Sequence, residues 1–306
     1  MSERIIVIDW GTTAFRAYLV DADNGACLDR ITQGHGMREL AGRPFADYCR
    51  ERLGDWRENG AVPVYLAGMV GARQGWHEAP QPPLPRAAAD LAEDLVPAPG
   101  LDNTWLVPGV RLHGEAGHVD VMRGEEVQIF GALALAKRSE ATLCLPGTHS
   151  KWARVRDNVL HHFATVMTGE LFEAVTRHTL IGVPAEDAAA PDDGAFRQGL
   201  NQAERPGGLG HQLFTARSRW LYGDLAATGI RDYVSGLLIG HEMASMRELY
   251  RDTVEIVVVA SDSLRSRYDS ALRHFGLKAH HVATADASLA GVLAIARRHR
   301  RAGKAM

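Results

Sequence analysis

The chain opens on an unbroken apolar run, Ile5-Ile6-Val7-Ile8. It ends in Asp9-Trp10-Gly11-Thr12-Thr13, and an alternating segment, Ala14-Phe15-Arg16-Ala17-Tyr18-Leu19-Val20, follows. This pattern predicts a β-hairpin whose turn carries the polar groups. Asp23-Asn24-Gly25 predicts the next turn and Cys27 to Gln33 a third strand. From Pro44 to Glu58, the residues Phe45, Tyr48, Cys49, Leu53 and Trp56 fall on one helical face, and Asn59-Gly60 ends the helix. Val62 to Leu66 reads as a strand, with Gly68 to Trp76 at its carboxyl end, where ligands bind in α/β sheets. Pro80 to Pro85 is a proline-rich loop, Trp105 to Val107 a short strand and Arg111 to Asp120 a polar loop. Met122-Arg123-Gly124-Glu125-Glu126 leads into a helix to Lys137, with Val127, Phe130, Leu133 and Ala134 on its inner face.

Thr142 to Leu145 is the next strand. It ends in Pro146-Gly147-Thr148-His149-Ser150-Lys151-Trp152, and a second hairpin turns at Asp157-Asn158. The order strand, Gly-Thr turn, strand echoes the opening and predicts two halves, 1–138 and 139–306. The second half reads as richer in helix. Helices are expected from Thr168 to Thr179, Gln212 to Tyr222, Ile230 to Tyr250, Leu264 to Phe275 and Ser288 to Arg300. Asp187 to Gly194 reads as a linker and Glu204 to Gly210 as a glycine-rich turn. Glu255 to Ala260 is a strand running into Ser261-Asp262-Ser263.

Composition narrows the class. Of 306 residues, 46% are hydrophobic and 23% charged, as in a globular protein, and a formal charge of −3 gives no argument for nucleic acid or an anionic membrane. Three widely spaced cysteines suggest a reducing cytoplasm rather than a disulfide or zinc framework. The first strand begins almost at Met1, so no signal peptide is expected, and no apolar run is long enough to span a bilayer.

The chemistry gathers at the two Gly-Thr turns. Gly11 lets a ligand approach the backbone, Thr12 and Thr13 offer donors, and Asp9 offers an anion suited to Mg²⁺. Gly147 and Thr148 repeat the donors. Neither a Gly-x-x-x-x-Gly-Lys-Ser/Thr loop nor a Gly-x-Gly-x-x-Gly turn between strand and helix is present, which disfavours P-loop and Rossmann readings. The paired hairpins resemble the two phosphate motifs of the actin/hexokinase-like ATPase superfamily. That resemblance implies an α/β fold of two ribonuclease-H-like domains with an interdomain cleft.

Six segments in register sharpen it: Ile8 to Thr13, Ala67 to Gly71, Val121 to Glu126, Leu145 to Trp152, Thr165 to Leu171 and Ser235 to Gly240. Together, over nearly the whole chain, they resemble the 2-dehydro-3-deoxygalactonokinases. The family implies ATP-dependent phosphorylation of 2-dehydro-3-deoxy-D-galactonate at its 6-hydroxyl, in the cytoplasm, by an enzyme that needs Mg²⁺ and is a candidate homodimer. The first half would supply the sugar-acid site and the second the adenosine site. Asp9 would hold Mg²⁺. Gly11, Thr12, Thr13, Gly147, Thr148 and Lys151 would face phosphate. Thr168, Gly169 and Ser261 would face phosphate or adenosine, although Ala260 to Ser263 has no glycine where an adenosine turn usually does. Glu170 is a candidate for the ribose hydroxyls. Glu125 or Glu126 would accept the sugar proton, with Asp120 as a rival. Arg73 and Arg123, and more weakly Arg16, would bind the carboxylate, and Trp76 would pack on the sugar or on its own loop. Other readings are a kinase for another sugar or sugar acid, a phosphohydrolase, and a non-catalytic nucleotide-binding regulator.

Overall fold

The computed structural model describes residues 3–114, 117–187 and 190–304. Residues 115–116 of the expected polar loop and 188–189 of the expected linker lie outside them. In chain order come β1 (Arg4–Trp10), β2 (Phe15–Asp21), β3 (Cys27–Ile31), α1 (Phe45–Leu53), β4 (Val64–Ala67), β5 (Arg86–Ala87), α2 (Ala88–Glu93), β6 (Val96–Pro97), β7 (Thr104–Leu106), β8 (Val110–His113), β9 (Val119–Met122) and α3 (Glu125–Ala136). Then follow β10 (Ala141–Leu145), β11 (Ser150–Arg156), β12 (Val159–Val166), α4 (Thr168–His178), α5 (Asp193–Ala203), α6 (Gly208–Leu221), α7 (Ile230–Leu249), β13 (Glu255–Ala260), α8 (Asp262–His274), β14 (Lys278–Ala283) and α9 (Thr284–Lys304). The chain divides into two compact units. One takes the chain up to Ala141, Ala153–Phe163 and the chain from Val282; the other takes Thr142–Trp152 and Ala164–His281.

In the first unit a sheet runs in the order β3-β2-β1-β4-β7-β6. β1 pairs antiparallel with β2 and parallel with β4, in a register that sets Asp9 beside Arg16 on one side and Ala67 on the other. Ile5, Ile6, Val7, Ile8 and Trp10 are all fully buried. A central strand covered on both faces is a continuous apolar run, not an alternation. Trp10 gathers Phe15, Phe45, Tyr48 and Trp76 around it, with ring centroids 4.9 to 6.4 Å away. α3 lies against α9 where neither helix has room for a side chain. A Cβ at Gly131 would strike the Ala287 carbonyl, and one at Gly291 would strike that of Val127.

In the second unit β13 is the parallel neighbour of β10, with Cys144 beside Val258. The strand order there is β14-β13-β10-β11. α5 meets α7 through Gly199 and Gly236, each too close to the other helix's backbone for a Cβ. Among the described residues no helix is long and apolar enough to cross a membrane.

The structure departs from the sequence reading at several elements. The helix expected from Pro44 to Glu58 stops at Leu53, and the chain leaves it through Glu58 and Asn59 in left-handed backbone. The expected polar loop at Arg111 to Asp120 contains β8 and β9, paired from Val110–Met122 to His113–Val119. The expected linker runs into α5, which was not anticipated: Asp192 caps it by accepting the Ala195 N–H at 2.9 Å. On α3, Ala134 is exposed, and the inner face is Val127, Ile129, Phe130, Ala132 and Leu133.

The α3–α9 crossing gives a direct test. Gly291→Ala drives a methyl into the Val127 carbonyl and is expected to lower unfolding free energy by about 2 kcal/mol or more. Gly303→Ala, with nothing within 4 Å of its added carbon, is expected to be neutral or to stabilise by up to about 1 kcal/mol. Denaturant midpoints of the two variants check this, and equal midpoints would refute the close crossing.

Candidate active site

In the first unit the carboxyl ends of β1 and β4 meet the start of α3. After β4 the chain turns at Gly68, whose φ of +99° suits a glycine. A Cβ there would lie 2.9 Å from the Trp10 carbonyl and 3.5 Å from Asp9 Oδ1. Gly124, with φ +104°, faces it: its Cβ would lie 3.1 Å from Gly68 Cα. Two facing glycines therefore bring the backbone of 123–124 up to the ends of both strands. The guanidinium of Arg123 reaches the same turn, since Nη1 lies 3.1 Å from where a Gly71 Cβ would be. Asp9, Gly68, Gly71, Arg123, Glu125 and Glu126 are thus brought together.

Asp9 is half-buried at the strand end. Burial raises its carboxyl above the ordinary range, while Arg16 and a hydrogen bond from Ser288 pull it back. Arg16 Nη1 stands 3.7 Å from Oδ2, and Ser288 Oγ donates to that oxygen at 3.3 Å. Ser288, on α9, in turn accepts the Gln128 amide of α3 at 3.2 Å. The Gly11–Thr13 turn is backed by 36–38: Met37 and Arg38 donate to the carbonyls of Gly11 and Thr12, each at 3.2 Å. Only the Ala14 carbonyl, at 3.8 Å, lies near a Gly11 Cβ, so that side of the turn is open.

Glu126 and Glu125 differ in kind. Glu126 is fully buried, and both its oxygens accept the Gly124 N–H, at 2.9 and 2.7 Å. Burial, reinforced by the neighbouring Glu125, pushes its carboxyl up to about 8. Glu125 is half-buried and accepts the Arg123 N–H at 3.2 Å. Arg123 donates from Nη2 to the Ala79 carbonyl at 2.7 Å, and its Nη1 is buried without a partner. Burial lowers its pKa, against the opposing charges of Glu126 and Glu78. The rival base, Asp120, lies on β9. Arg73 is exposed. Trp76 stacks on Phe45 at 6.0 Å and commits its N–H to the Pro99 carbonyl at 3.0 Å, so its ring belongs to the aromatic cluster around Trp10.

In the second unit the Pro146–His149 turn follows β10, and Ser261 follows β13, the adjacent parallel strand. Gly169 packs into the turn: a Cβ there would lie 2.5 Å from the Gly147 carbonyl and 2.8 Å from Thr148 Cα. Glu170 N–H donates to the Thr148 carbonyl at 2.9 Å, and its carboxylate pairs with His149 at 2.5 Å. Thr148 is exposed, and nothing but the His149 carbonyl lies within 4 Å of a Gly147 Cβ, so this turn is also open. Lys151 turns inward; it is 5% exposed and donates to Thr165 Oγ1 at 2.7 Å. Thr168 is the first residue of α4 rather than its cap, and its hydroxyl donates to Glu242.

Sequence reasoning missed Glu242, Ser288 and Gln128. Glu242 had a visible signal: a carboxylate whose helical neighbours Leu238, Ile239 and Met246 are apolar. Ser288 and Gln128 had none, being ordinary polar residues on helices.

Residues 9–295 match the family model for 2-keto-3-deoxy-galactonokinase. The 2-dehydro-3-deoxygalactonokinase of Escherichia coli (strain K12) is 38% identical over 298 residues, 97% of this chain and 98% of that protein. A Sinorhizobium meliloti crystal structure provisionally assigned the same activity superposes with a TM-score of 0.88 at 34% identity, covering 96% of this chain and 98% of that one. The activator of the 2-hydroxyisocaproyl-CoA dehydratase from Clostridium difficile, with bound ADPNP, shares the fold alone: TM-score 0.55 at 12% identity over 99% of this chain and 98% of that one. The architecture is the two-domain actin/hexokinase-like ATPase fold, and the chain belongs to the 2-keto-3-deoxy-galactonokinase family.

Proposed function

We propose that this chain transfers the γ-phosphoryl group of ATP to the 6-hydroxyl of 2-dehydro-3-deoxy-D-galactonate, giving 2-dehydro-3-deoxy-6-phosphogalactonate in galactonate catabolism. The observation that carries the reading is the convergence of Asp9, Arg123 and Glu125 at the ends of β1 and β4, in a chain matching this kinase family along its length.

Phosphoryl transfer is mainly positioning and charge neutralisation. The open turns at Gly11–Thr13 and Gly147–Thr148 each offer donors to phosphate oxygens. Residues 1–138 would carry the sugar-acid site and 139–306 the adenosine site, with Gly169 and Ser261 at the edge that presents Thr148. Asp9 suits Mg²⁺: it is a partly exposed carboxylate at the end of β1, and one carboxylate fits an ion that keeps most of its water. When bound, Mg²⁺ would neutralise charge on the phosphate oxygens. Lys151 contributes positive charge from behind its turn rather than by contact.

Two adjacent carboxyls with unlike environments divide the work. Glu125 keeps access to solvent and would accept the proton of the attacking hydroxyl. Glu126 is committed to Gly124 and would hold the 123–124 backbone. A buried guanidinium with an unpartnered N–H is costly, and a substrate carboxylate would satisfy it in a planar, bidentate way. Arg123 is therefore the carboxylate-binding residue of choice. Exposed Arg73 is a secondary one, and Arg16 is drawn to Asp9 instead. The free thiols of Cys27, Cys49 and Cys144 support a cytoplasmic setting. A homodimer is the proposed assembly, to be checked by light scattering.

A coupled ADP-release assay over a panel of acceptors tests the activity. Turnover is expected with 2-dehydro-3-deoxy sugar acids and not with hexoses or water; ADP release without an acceptor would overturn it. Glu125→Gln is expected to lower kcat by about 10²- to 10⁴-fold with little change in either KM. An unchanged kcat would remove Glu125 as the base. Arg123→Met is expected to raise the acceptor KM by about tenfold or more while the ATP KM stays put, and Arg123→Lys should not restore it.

The pH dependence of stability tests the role of Glu126. In the folded chain its carboxyl titrates near 8 against an ordinary 4.5, so the folded state holds a proton that the unfolded state releases. Its contribution is full below the ordinary value and is lost as pH rises through about 8. The thermal midpoint of the wild type is therefore expected to fall relative to that of Glu126→Gln between about pH 5 and 9. Parallel profiles would contradict the buried, protonated carboxyl.

A further inference from the structure

In the middle of α7, Glu242 follows Leu237-Leu238-Ile239-Gly240-His241 and precedes Met243, and it is 1% exposed. Its partners are neutral donors. Oε1 accepts the Trp152 indole N–H at 2.8 Å and faces the Cys144 thiol at 3.9 Å. Oε2 accepts the Tyr268 hydroxyl at 2.8 Å and the Thr168 hydroxyl. Ser150 Oγ joins the network at 3.0 Å from the Tyr268 hydroxyl. Burial pushes the Glu242 carboxyl up, and these hydrogen bonds pull it back.

The donors are placed with a pattern. Cys144 precedes the Pro146–His149 turn, and Ser150 and Trp152 follow it, so both arms of the turn end on this cluster. Thr168 opens the helix whose next residue, Gly169, touches the Gly147 carbonyl and Thr148 Cα. Tyr268 lies on α8, the helix that Ser261 precedes. A buried carboxylate without a cation is a poor way to fill a core, because an apolar side chain of similar size packs there without the desolvation cost. What the carboxylate adds is direction: it draws donors from β10, β11, α4 and α8 to one point.

We propose that Glu242 is a positioning residue for the nucleotide: it holds the Gly147–Thr148 turn and the Thr168–Gly169 helix start in the geometry that receives phosphate. The inference rests on the reading of Gly147–Thr148 as a phosphate turn. Glu242 touches no substrate, so its loss acts through the turn. Glu242→Gln sets an amide N–H against groups that are themselves donors. Thr168→Val removes one donor at nearly constant shape, while Thr168→Ser keeps it.

The test compares these variants in the intact chain, with steady-state kinetics for both substrates and thermal midpoints. Glu242→Gln and Thr168→Val are expected to raise the ATP KM by about tenfold, with the acceptor KM within about twofold of wild type, and Thr168→Ser to restore the ATP KM. If Glu242→Gln does not fold, the Thr168 pair decides. The proposal is overturned if the folded variants lose thermal stability while both KM values stay unchanged or move together, or if Thr168→Ser is as impaired as Thr168→Val. Thr148→Val separates the underlying reading. An unchanged ATP KM in that variant removes the phosphate turn, and the proposal with it. A raised one, alongside a normal Glu242→Gln, removes the proposal alone.

Discussion

A buried carboxyl group must have its oxygens matched by hydrogen-bond partners, and each unit of this protein holds one beside a turn. In the first, Glu126 takes the Gly124 N–H on both oxygens and fixes the entry to α3. In the second, Glu242 takes an indole, a phenol and a threonine hydroxyl and fixes the ends of the Pro146–His149 turn. Desolvation makes both sites costly and makes any misplaced donor more costly still. The reward is rigidity at the turns that carry the open glycines. A phosphoryl-transfer site needs this, because its catalysis lies in where donors stand before the substrate arrives.

Close backbone approach is the second constraint and serves the first. Gly68 and Gly124 face each other with positive φ, which lets the start of α3 reach the ends of β1 and β4. Gly169 does the same for the second turn. Farther back, Gly131 and Gly291 seat α3 on α9, and that contact carries Ser288 to Asp9 and Gln128 to Ser288. The hydrogen bond on Asp9 therefore depends on two helices touching at glycines.

The strands at the heart of both units were legible because full burial leaves an unambiguous apolar run, as in Ile5 to Ile8 and Ile256 to Ala260. The turns after them were legible from Asp9-Trp10-Gly11-Thr12-Thr13 and Pro146-Gly147-Thr148, where polar groups crowd at a strand end. Other features were hidden for physical reasons. α5 begins within an Ala/Pro/Asp stretch that resembles a linker until Asp192 is seen to cap it. β8 and β9 pair by backbone while leaving Val119 and Val121 exposed, so their pattern does not point to a core. The direction of Lys151 could not be read, because β11 is buried on both faces and strand parity does not separate inside from outside. Thr168 read as the start of a helix facing phosphate or adenosine; its bond to Glu242 joins residues 74 positions apart, which no local pattern reports.

The most direct test of the account is the fate of the phosphoryl group, followed by phosphorus and carbon magnetic resonance on a mixture of the protein, ATP, Mg²⁺ and 2-dehydro-3-deoxy-D-galactonate. A single phosphomonoester is expected, with phosphorus coupling to the carbon bearing the 6-oxygen and ADP formed in equal amount. ADP with inorganic phosphate and an unaltered sugar acid would contradict it, since the hydroxyl would then not be the group these residues activate.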